Sequence, residues 1–339
     1  MTSNNFYKIA FILLMALVLT FLLRGDGVIR GSDSYGYMMM FERIREYDDL
    51  SRIYYMNDYL FSNHAFLIKS IVEDPNIYLA ILFFSSTIIL FLAYYWFFMQ
   101  YQSPYFYLSI VLLLSTSTYY LFNINALRQG LSASLVLLSL AVMFNYKRYF
   151  SSFLLIILAV LAHKSALIAF LIFLLIENVR LKINKSLYVF FLSILTGFLI
   201  NDLLLQTAYY FDLNYVVYKL EGLSKSVTGY TSVAMKMIVL IVTLTYFHII
   251  ARNSREDKLY LYLLNYYTYY ASVVMLFSVF ESMFNRMLMF TNIIEPILFT
   301  LVVRRFRQKG IWFIVTGCIA ILYMVFVFNY PAIVQELRL

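Results

Sequence analysis

FSSFLLIILAVLAHKSALIAFLIFLLI, residues 150–176, is an apolar run interrupted once, at His163-Lys164-Ser165. About 20 apolar residues suffice to cross a hydrocarbon core, so this run carries an imidazole, an ammonium and a hydroxyl near its middle. Such groups at membrane depth are expensive unless they face protein or a water-filled cavity. The triplet therefore bears on topology and on function together.

The rest of the chain sets the context. Of its 339 residues 63% are hydrophobic and 13% charged, with 4 prolines. The apolar residues come in blocks at 6–23, 77–99, 105–122, 126–144, 150–176, 187–205, 232–250, 259–280, 283–303 and 311–330. This pattern predicts an all-α, polytopic protein forming a single integral membrane domain over 1–339, and continuous rather than alternating runs exclude a transmembrane β-barrel. Two long loops remain, 24–76 and 206–231. The net charge of +8 reflects Lys and Arg gathered in cytoplasmic loops, and no nucleic-acid partner is implied. The single cysteine, Cys318, lies inside an apolar block, so no disulfide forms within one chain. The first block is followed by Arg24-Gly25-Asp26 rather than a small-x-small cleavage site and reads as a retained anchor. There is no dinucleotide fingerprint, P-loop or zinc-ligand spacing, and no cofactor or metal is implied.

Loop charge decides between two readings of 150–176. Lys147-Arg148, then Arg180, Lys182 and Lys185, then Arg252, Arg255 and Lys258, then Arg304, Arg305, Arg307 and Lys309 are all basic clusters of the cytoplasmic type. One continuous tilted helix over 150–176 would put the first two clusters on opposite sides. A break at His163-Lys164-Ser165 makes two arms of roughly 18 Å each, too short to span a core of about 30 Å, and returns every basic loop to the cytoplasm. The favoured expectation is thus about nine full transmembrane helices plus a re-entrant hairpin tipped by His163. The N-terminus is then cytoplasmic, and the loops 24–76 and 206–231 are external. Non-helical backbone at that depth must be covered by protein or line a cavity.

The external loop opens with four glycines among charged and hydroxyl groups over 24–37, which predicts a tight turn region, followed by an amphipathic helix over 38–49. It holds 9 of the 18 acids: Asp26, Asp33, Glu42, Glu46, Asp48, Asp49, Asp58, Glu73 and Asp74. Most read as solvated surface charge; Arg30 and Asp33 stand out beside glycines near the membrane. Farther on, Asn125, Arg128, Gln129, Ser132 and Ser139 fall on one helical stripe about 100° wide. Such a stripe faces a bundle interior or an aqueous cavity, either as packing glue or, for Arg128, in a functional role. Asn285 and Arg286 open another block, and Glu295 within it is expected to pair with a Lys or Arg of a neighbouring helix. Tyr262, Tyr266, Tyr269 and Tyr270 share a stripe that reads as interfacial aromatics. His64 and His248 receive no role. Under the hairpin topology Arg24, Arg30, Arg128, His163-Lys164 and Arg286 all come to the outer side, which implies an anionic ligand such as a phosphate.

Arg30-Gly31-x-Asp33 with Tyr37, Arg128-Gln129 at a helix start, His163-x-Ser165 after a short apolar arm, and Asn285-Arg286 late in the chain together resemble the EpsG-like branch of Wzy-type bacterial polysaccharide polymerases. The likeness covers nearly the whole chain. It implies a glycosyltransferase of the bacterial cytoplasmic membrane that polymerises undecaprenyl-diphosphate-linked oligosaccharide repeat units into O-antigen, capsule or exopolysaccharide on the outer face. A chain-length regulator is an implied partner. A flippase or transporter of the same lipid-linked sugar, and an O-antigen-ligase-like transferase, are the competing expectations; the first would favour pseudo-symmetric halves, and no such repeat is present. By the resemblance Arg30, Asp33, Arg128, His163 and Arg286 are the functional positions. Arg128, Arg286 and Arg30 would bind the diphosphate, whose departure as a stable anion needs no metal once arginines neutralise it. His163 first, and Asp33 second, would take the acceptor proton. Arg24, Tyr37, Gln129, Ser165 and Asn285 are further candidates for contact with substrate.

Overall fold

The structure, a computed structural model, describes residues 3–25, 32–44, 58–101, 103–178, 183–211, 230–252, 257–278 and 281–305. Every regular element among these residues is helical. In chain order they are α1 (Ser3–Arg24), α2 (Ser32–Arg43), α3 (Tyr59–Lys69), α4 (Pro75–Phe97), α5 (Ser103–Leu114) and α6 (Ser117–Tyr120), then a π-helical turn over Leu121–Asn125. There follow α7 (Leu127–Tyr146), α8 (Tyr149–Ala162), α9 (Ala166–Asn178), α10 (Ile183–Tyr210), α11 (Tyr230–Arg252), α12 (Lys258–Leu276), α13 (Glu281–Asn292) and α14 (Glu295–Val303).

Five stretches are long and apolar enough to cross a membrane: Asn5–Arg24, Pro75–Phe97, Leu127–Tyr146, Val233–Ala251 and Met283–Val303. The pair Ser103–Leu114 and Ser117–Asn125, bent by 73°, makes a sixth if counted as one span. The protein is therefore an all-helical, multi-span membrane protein, with five or six supported crossings where the apolar blocks suggested about nine. Three differences account for the gap. The helix α12 carries so many tyrosines that its apolarity falls short, the described residues of α10 give an unbroken apolar stretch only over Lys185–Gly197, and the block 311–330, with Cys318, lies outside the described residues.

The run 150–176 is broken at the polar triplet. The helix α8 stops at Ala162, His163 is extended (φ −161, ψ 130), and α9 starts at Ala166. The rings of Phe153 on α8 and Phe170 on α9 meet edge-to-face at 5.7 Å. A continuous helix would hold those positions about 25 Å apart, so the chain turns back at the break.

The 24–37 segment differs from its expected turn: from Ser32 onward it is the helix α2, and the amphipathic helix expected at 38–49 begins at Ser32 and ends at Arg43. Its first turn is held from far away, because Asn125 Oδ1 accepts the Asp33 N–H at 2.9 Å. A cap supplied 92 residues downstream is invisible to local propensity.

The chain divides into two compact units, residues 1–170 with 299–339 and residues 171–298. In the first, α7 is central and packs along α4 and α8, with α1 also against α4. Lys147 closes α7 in the left-handed region (φ 53), and a two-residue turn starts α8 antiparallel to it. Ser139 and Ser152 exchange hydroxyl-to-carbonyl hydrogen bonds (2.8 and 3.0 Å), and Ser132 Oγ donates to the Ala159 carbonyl at 2.9 Å. Those two serines of the α7 stripe are interhelical glue. Gly130 lets the π-turn lie against α7: a Cβ there would stand 2.4 Å from the Phe122 carbonyl oxygen.

In the second unit α10, α11 and α13 pack around α12. Gly197 admits the Met275 carbonyl, 2.5 Å from where its Cβ would be. Glu295 Oε1 accepts a hydrogen bond from Tyr267 Oη at 2.6 Å, so its partner is a phenol and not the Lys or Arg expected.

Two glycines give opposite expectations. Gly130→Ala should destabilise the protein by about 1–3 kcal/mol through overpacking against Phe122. Gly36→Ala, in the middle of α2 with nothing within 4 Å of its Cβ, should stabilise by about 0.5–1 kcal/mol. Thermal unfolding in detergent reads both; equal midpoints would refute the close approach at Gly130.

Candidate functional site

The site gathers at the N-terminal end of α7. Because α8 runs back antiparallel to α7, its last residues return to the level where α7 begins, and His163 arrives beside Arg128. The third member is Asp58, the residue immediately before α3. An aspartate in that position ordinarily caps its own helix. Here it makes no side-chain cap bond. Its Oδ2 instead accepts from Arg128 Nη1 at 2.6 Å and meets His163 Nδ1 at 3.2 Å.

Burial makes this arrangement consequential. The Asp58 side chain is 3% exposed, those of Arg128 and His163 21% and 18%. A buried carboxylate needs paired, hydrogen-bonding partners, and Asp58 has two on one oxygen. A carboxylate only accepts, so His163 Nδ1 carries the hydrogen, and in the tautomer this selects the lone pair lies on Nε2. Among the described residues Nε2 has no partner, and neither does Arg128 Nη2. The constellation thus leaves one basic nitrogen and one guanidinium edge for a ligand.

Arg128 is seated by aromatics. Its Nε donates to Tyr37 Oη at 3.4 Å, and its guanidinium lies over the Tyr37 and Phe61 rings at 5.4 and 5.9 Å. These contacts fix the plane of the fork. Burial raises the Tyr37 phenol above its ordinary range, and Arg128 pulls it partly back; the hydroxyl stays protonated and accepts from Nε.

A clamp next to this holds α2 against the π-turn. Arg24, at the end of α1 and 5% exposed, donates through Nη2 to Ser34 Oγ at 3.1 Å and to the Ile124 carbonyl at 2.6 Å. Ser34 Oγ donates to the same carbonyl at 2.7 Å. The stretched backbone of a π-turn frees carbonyls that an ordinary helix would occupy, and Arg24 takes one of them. Arg24 is bound to protein on these contacts, whereas Arg128 keeps a free edge.

Of the residues singled out in the sequence, Arg128, His163 and Tyr37 come together around Asp58. Asp33 is exposed in the first turn of α2, held through its backbone N–H by Asn125. Gln129 Nε2 and Ser165 Oγ, next in sequence to the two central residues, are buried without hydrogen-bond partners among the described residues. Asn285 and Arg286 stand in the second unit: Asn285 Oδ1 accepts from Lys236 Nζ at 2.8 Å, and Arg286 is exposed. Arg30 lies outside the described residues.

Asp58 and Lys236 were missed by sequence reasoning. Asp58 looked like one of nine loop acids. The signal for it was charge balance, since Arg128 in apolar surroundings requires an anion, together with its place one residue before the apolar run Tyr59–Lys69.

A family model described as the EpsG family matches residues 9–337. Comparison with the curated proteins and with the solved structures finds no match. The ends of the family match leave out only eight residues at the start and two at the finish. EpsG-like proteins are Wzy-type polysaccharide polymerases, and this chain belongs to the EpsG family.

Proposed function

We propose that this protein is a glycosyltransferase of the bacterial cytoplasmic membrane that polymerises undecaprenyl-diphosphate-linked oligosaccharide repeat units on the outer face, without a metal. The observation that supports it most is the Asp58–His163–Arg128 constellation, a positioned base beside an anion-binding fork, in a chain of the EpsG family. The distribution of basic loops supports an outer-side position for that end of α7 and for the loop 24–76. In this reading the chain crosses the membrane about nine times, and the α8–α9 hairpin enters from the cytoplasm.

The acceptor is a hydroxyl at the end of an incoming lipid-linked unit; the donor is the growing glycan on its own undecaprenyl diphosphate. The hydroxyl oxygen bonds to the donor's anomeric carbon. The bond from that carbon to the diphosphate oxygen breaks with its electron pair, and undecaprenyl diphosphate leaves as the anion. His163 Nε2 takes the hydroxyl proton, while Asp58 holds Nδ1–H and steadies the imidazolium that forms. The free edge of Arg128 faces the leaving diphosphate. Arg286, with Asn285 and Lys236, is a second cationic set for phosphate, and Arg30 a third. Asp33 is the second candidate base. Gln129 and Ser165, buried with unused polar atoms, are suited to hold the acceptor sugar, and Tyr37 to seat Arg128. A chain-length regulator is a further proposed partner.

Reconstitution with purified undecaprenyl-diphosphate oligosaccharide should give a ladder of longer lipid-linked products. His163→Ala should lower the rate about 10²–10⁴-fold, with Asp33→Ala within a few-fold of wild type. The reverse order would make Asp33 the base, and a ladder unchanged in Arg128→Ala would remove the diphosphate assignment. Asp58→Ala should lower both rate and stability, the latter by about 3 kcal/mol, since it leaves Arg128 unpaired in apolar surroundings. For topology, a cysteine at Ser165 in a Cys318→Ser background should react with an impermeant thiol reagent added outside intact cells. Reaction only after the cytoplasmic side is opened would overturn the outward site.

A further inference from the structure

The helix α12 buries more polar groups than it satisfies. Among the described residues, Asn265 Oδ1 and the hydroxyls of Tyr266, Tyr269 and Tyr270 have no hydrogen-bond partner. The three tyrosines are 1%, 7% and 0% exposed. Positions 265, 266, 269 and 270 fall at i, i+1, i+4 and i+5, one face of the helix. The neighbouring polar groups behave normally: Tyr267 Oη donates to Glu295, and the Thr268 and Ser272 hydroxyls bond carbonyls of their own helix. Buried phenols almost always find a partner, so four orphans on one face are not random residue of packing.

The stripe has a definite setting. The Tyr266 and Tyr270 rings lie 6.0 Å apart, and Tyr270 stacks on Phe290 of α13 at 5.6 Å. Phe290 is one helical turn along α13 from Arg286. The rings are thus fixed by aromatic packing, and only the hydroxyl ends are unused. Each phenol both donates and accepts, and the amide of Asn265 does the same. Phosphate oxygens accept only and would leave the accepting half of that set unmet. A ligand dense in hydroxyls meets both halves.

We infer that this face of α12 is a glycan subsite that binds the hydroxyls of the oligosaccharide repeat through Tyr266, Tyr269, Tyr270 and Asn265. The hydroxyls are closed off from solvent, so the glycan enters by opening the contacts that cover them. That the glycan is a substrate rests on the polymerase reading; the presence of the subsite does not. The stripe first read as interfacial aromatics is then part of the substrate-binding surface.

The test separates the two. Oligosaccharide freed by mild acid from the lipid-linked units of the expressing strain carries neither lipid nor diphosphate. It should raise the thermal midpoint of the detergent-solubilised wild-type protein and of His163→Ala alike. The triple variant Tyr266→Phe/Tyr269→Phe/Tyr270→Phe keeps all three rings and should lose that shift. Tyr119→Phe, which removes a hydroxyl already paired with Thr87 at 3.2 Å, should retain it. In the polymerisation assay the triple variant should raise KM for the lipid-linked unit at least tenfold, with kcat within about twofold. A shift of equal size in wild type and triple variant, or no shift in wild type, would overturn the subsite. A wild type that binds the free glycan yet makes no ladder would overturn the polymerase reading and leave the subsite standing.

Discussion

One buried carboxylate oxygen organises the first unit. Asp58 Oδ2 joins three segments distant in sequence: the start of α3, the start of α7 and the break after α8. Each member needs the others. Arg128 is seated among apolar rings, where an unpaired cation is strongly unfavourable, and an isolated carboxylate 3% exposed would be worse. Asp58 leaves the N–H groups of its own helix uncapped to make the pairing, forgoing about 1 kcal/mol of local stability. The extended backbone at His163 follows from the same demand, since continuing α8 by another residue in helical geometry would carry the imidazole around the helix and away from Oδ2.

The clamp beside it shows how two arginines on the same end of the bundle come to differ. Arg24 is consumed by the Ser34 hydroxyl and the Ile124 carbonyl. That carbonyl belongs to a π-turn, pressed into place because Gly130 has no side chain to keep Phe122 away. The arrangement ties α1, α2 and α7 into one support. Arg128 rests on that support, through Tyr37, with part of its fork still unused. Counting cations from sequence treats the two alike; their partners separate them.

What was legible in the sequence followed from strong local contrast. The break at His163 could be read because three polar residues interrupt an otherwise apolar run, and hydrocarbon leaves no other low-energy place for them. The α7 stripe was read as one feature, yet its members divide. Ser132 and Ser139 bond the backbone of α8, Asn125 caps α2, and only Arg128 joins the ion pair. Asp58 escaped because nine acids share one long loop and its deciding partners, Arg128 and His163, come from far along the chain. The helix α2 escaped because the group that holds its first turn comes from Asn125. Both omissions are tertiary in origin: the deciding partner lies about 70 to 105 residues away, beyond any periodic window.

The two units also differ in how they carry polarity, and the difference follows from the physics of burial. In the first, the buried carboxylate Asp58 arrives with built-in partners, Arg128 and His163. In the second, α12 holds neutral hydroxyls that lack them. An uncompensated buried charge is too unfavourable to persist without ligand, so a charged site must be assembled around its own counter-ion and can offer only its spare edges. An unsatisfied phenol is a far smaller penalty. A membrane protein can hold several such hydroxyls ready beneath a closed surface and recover the deficit when a hydroxyl-rich ligand arrives. A chain that must grip both an anionic leaving group and a neutral glycan therefore has reason to build one site from satisfied ions and the other from waiting hydroxyls.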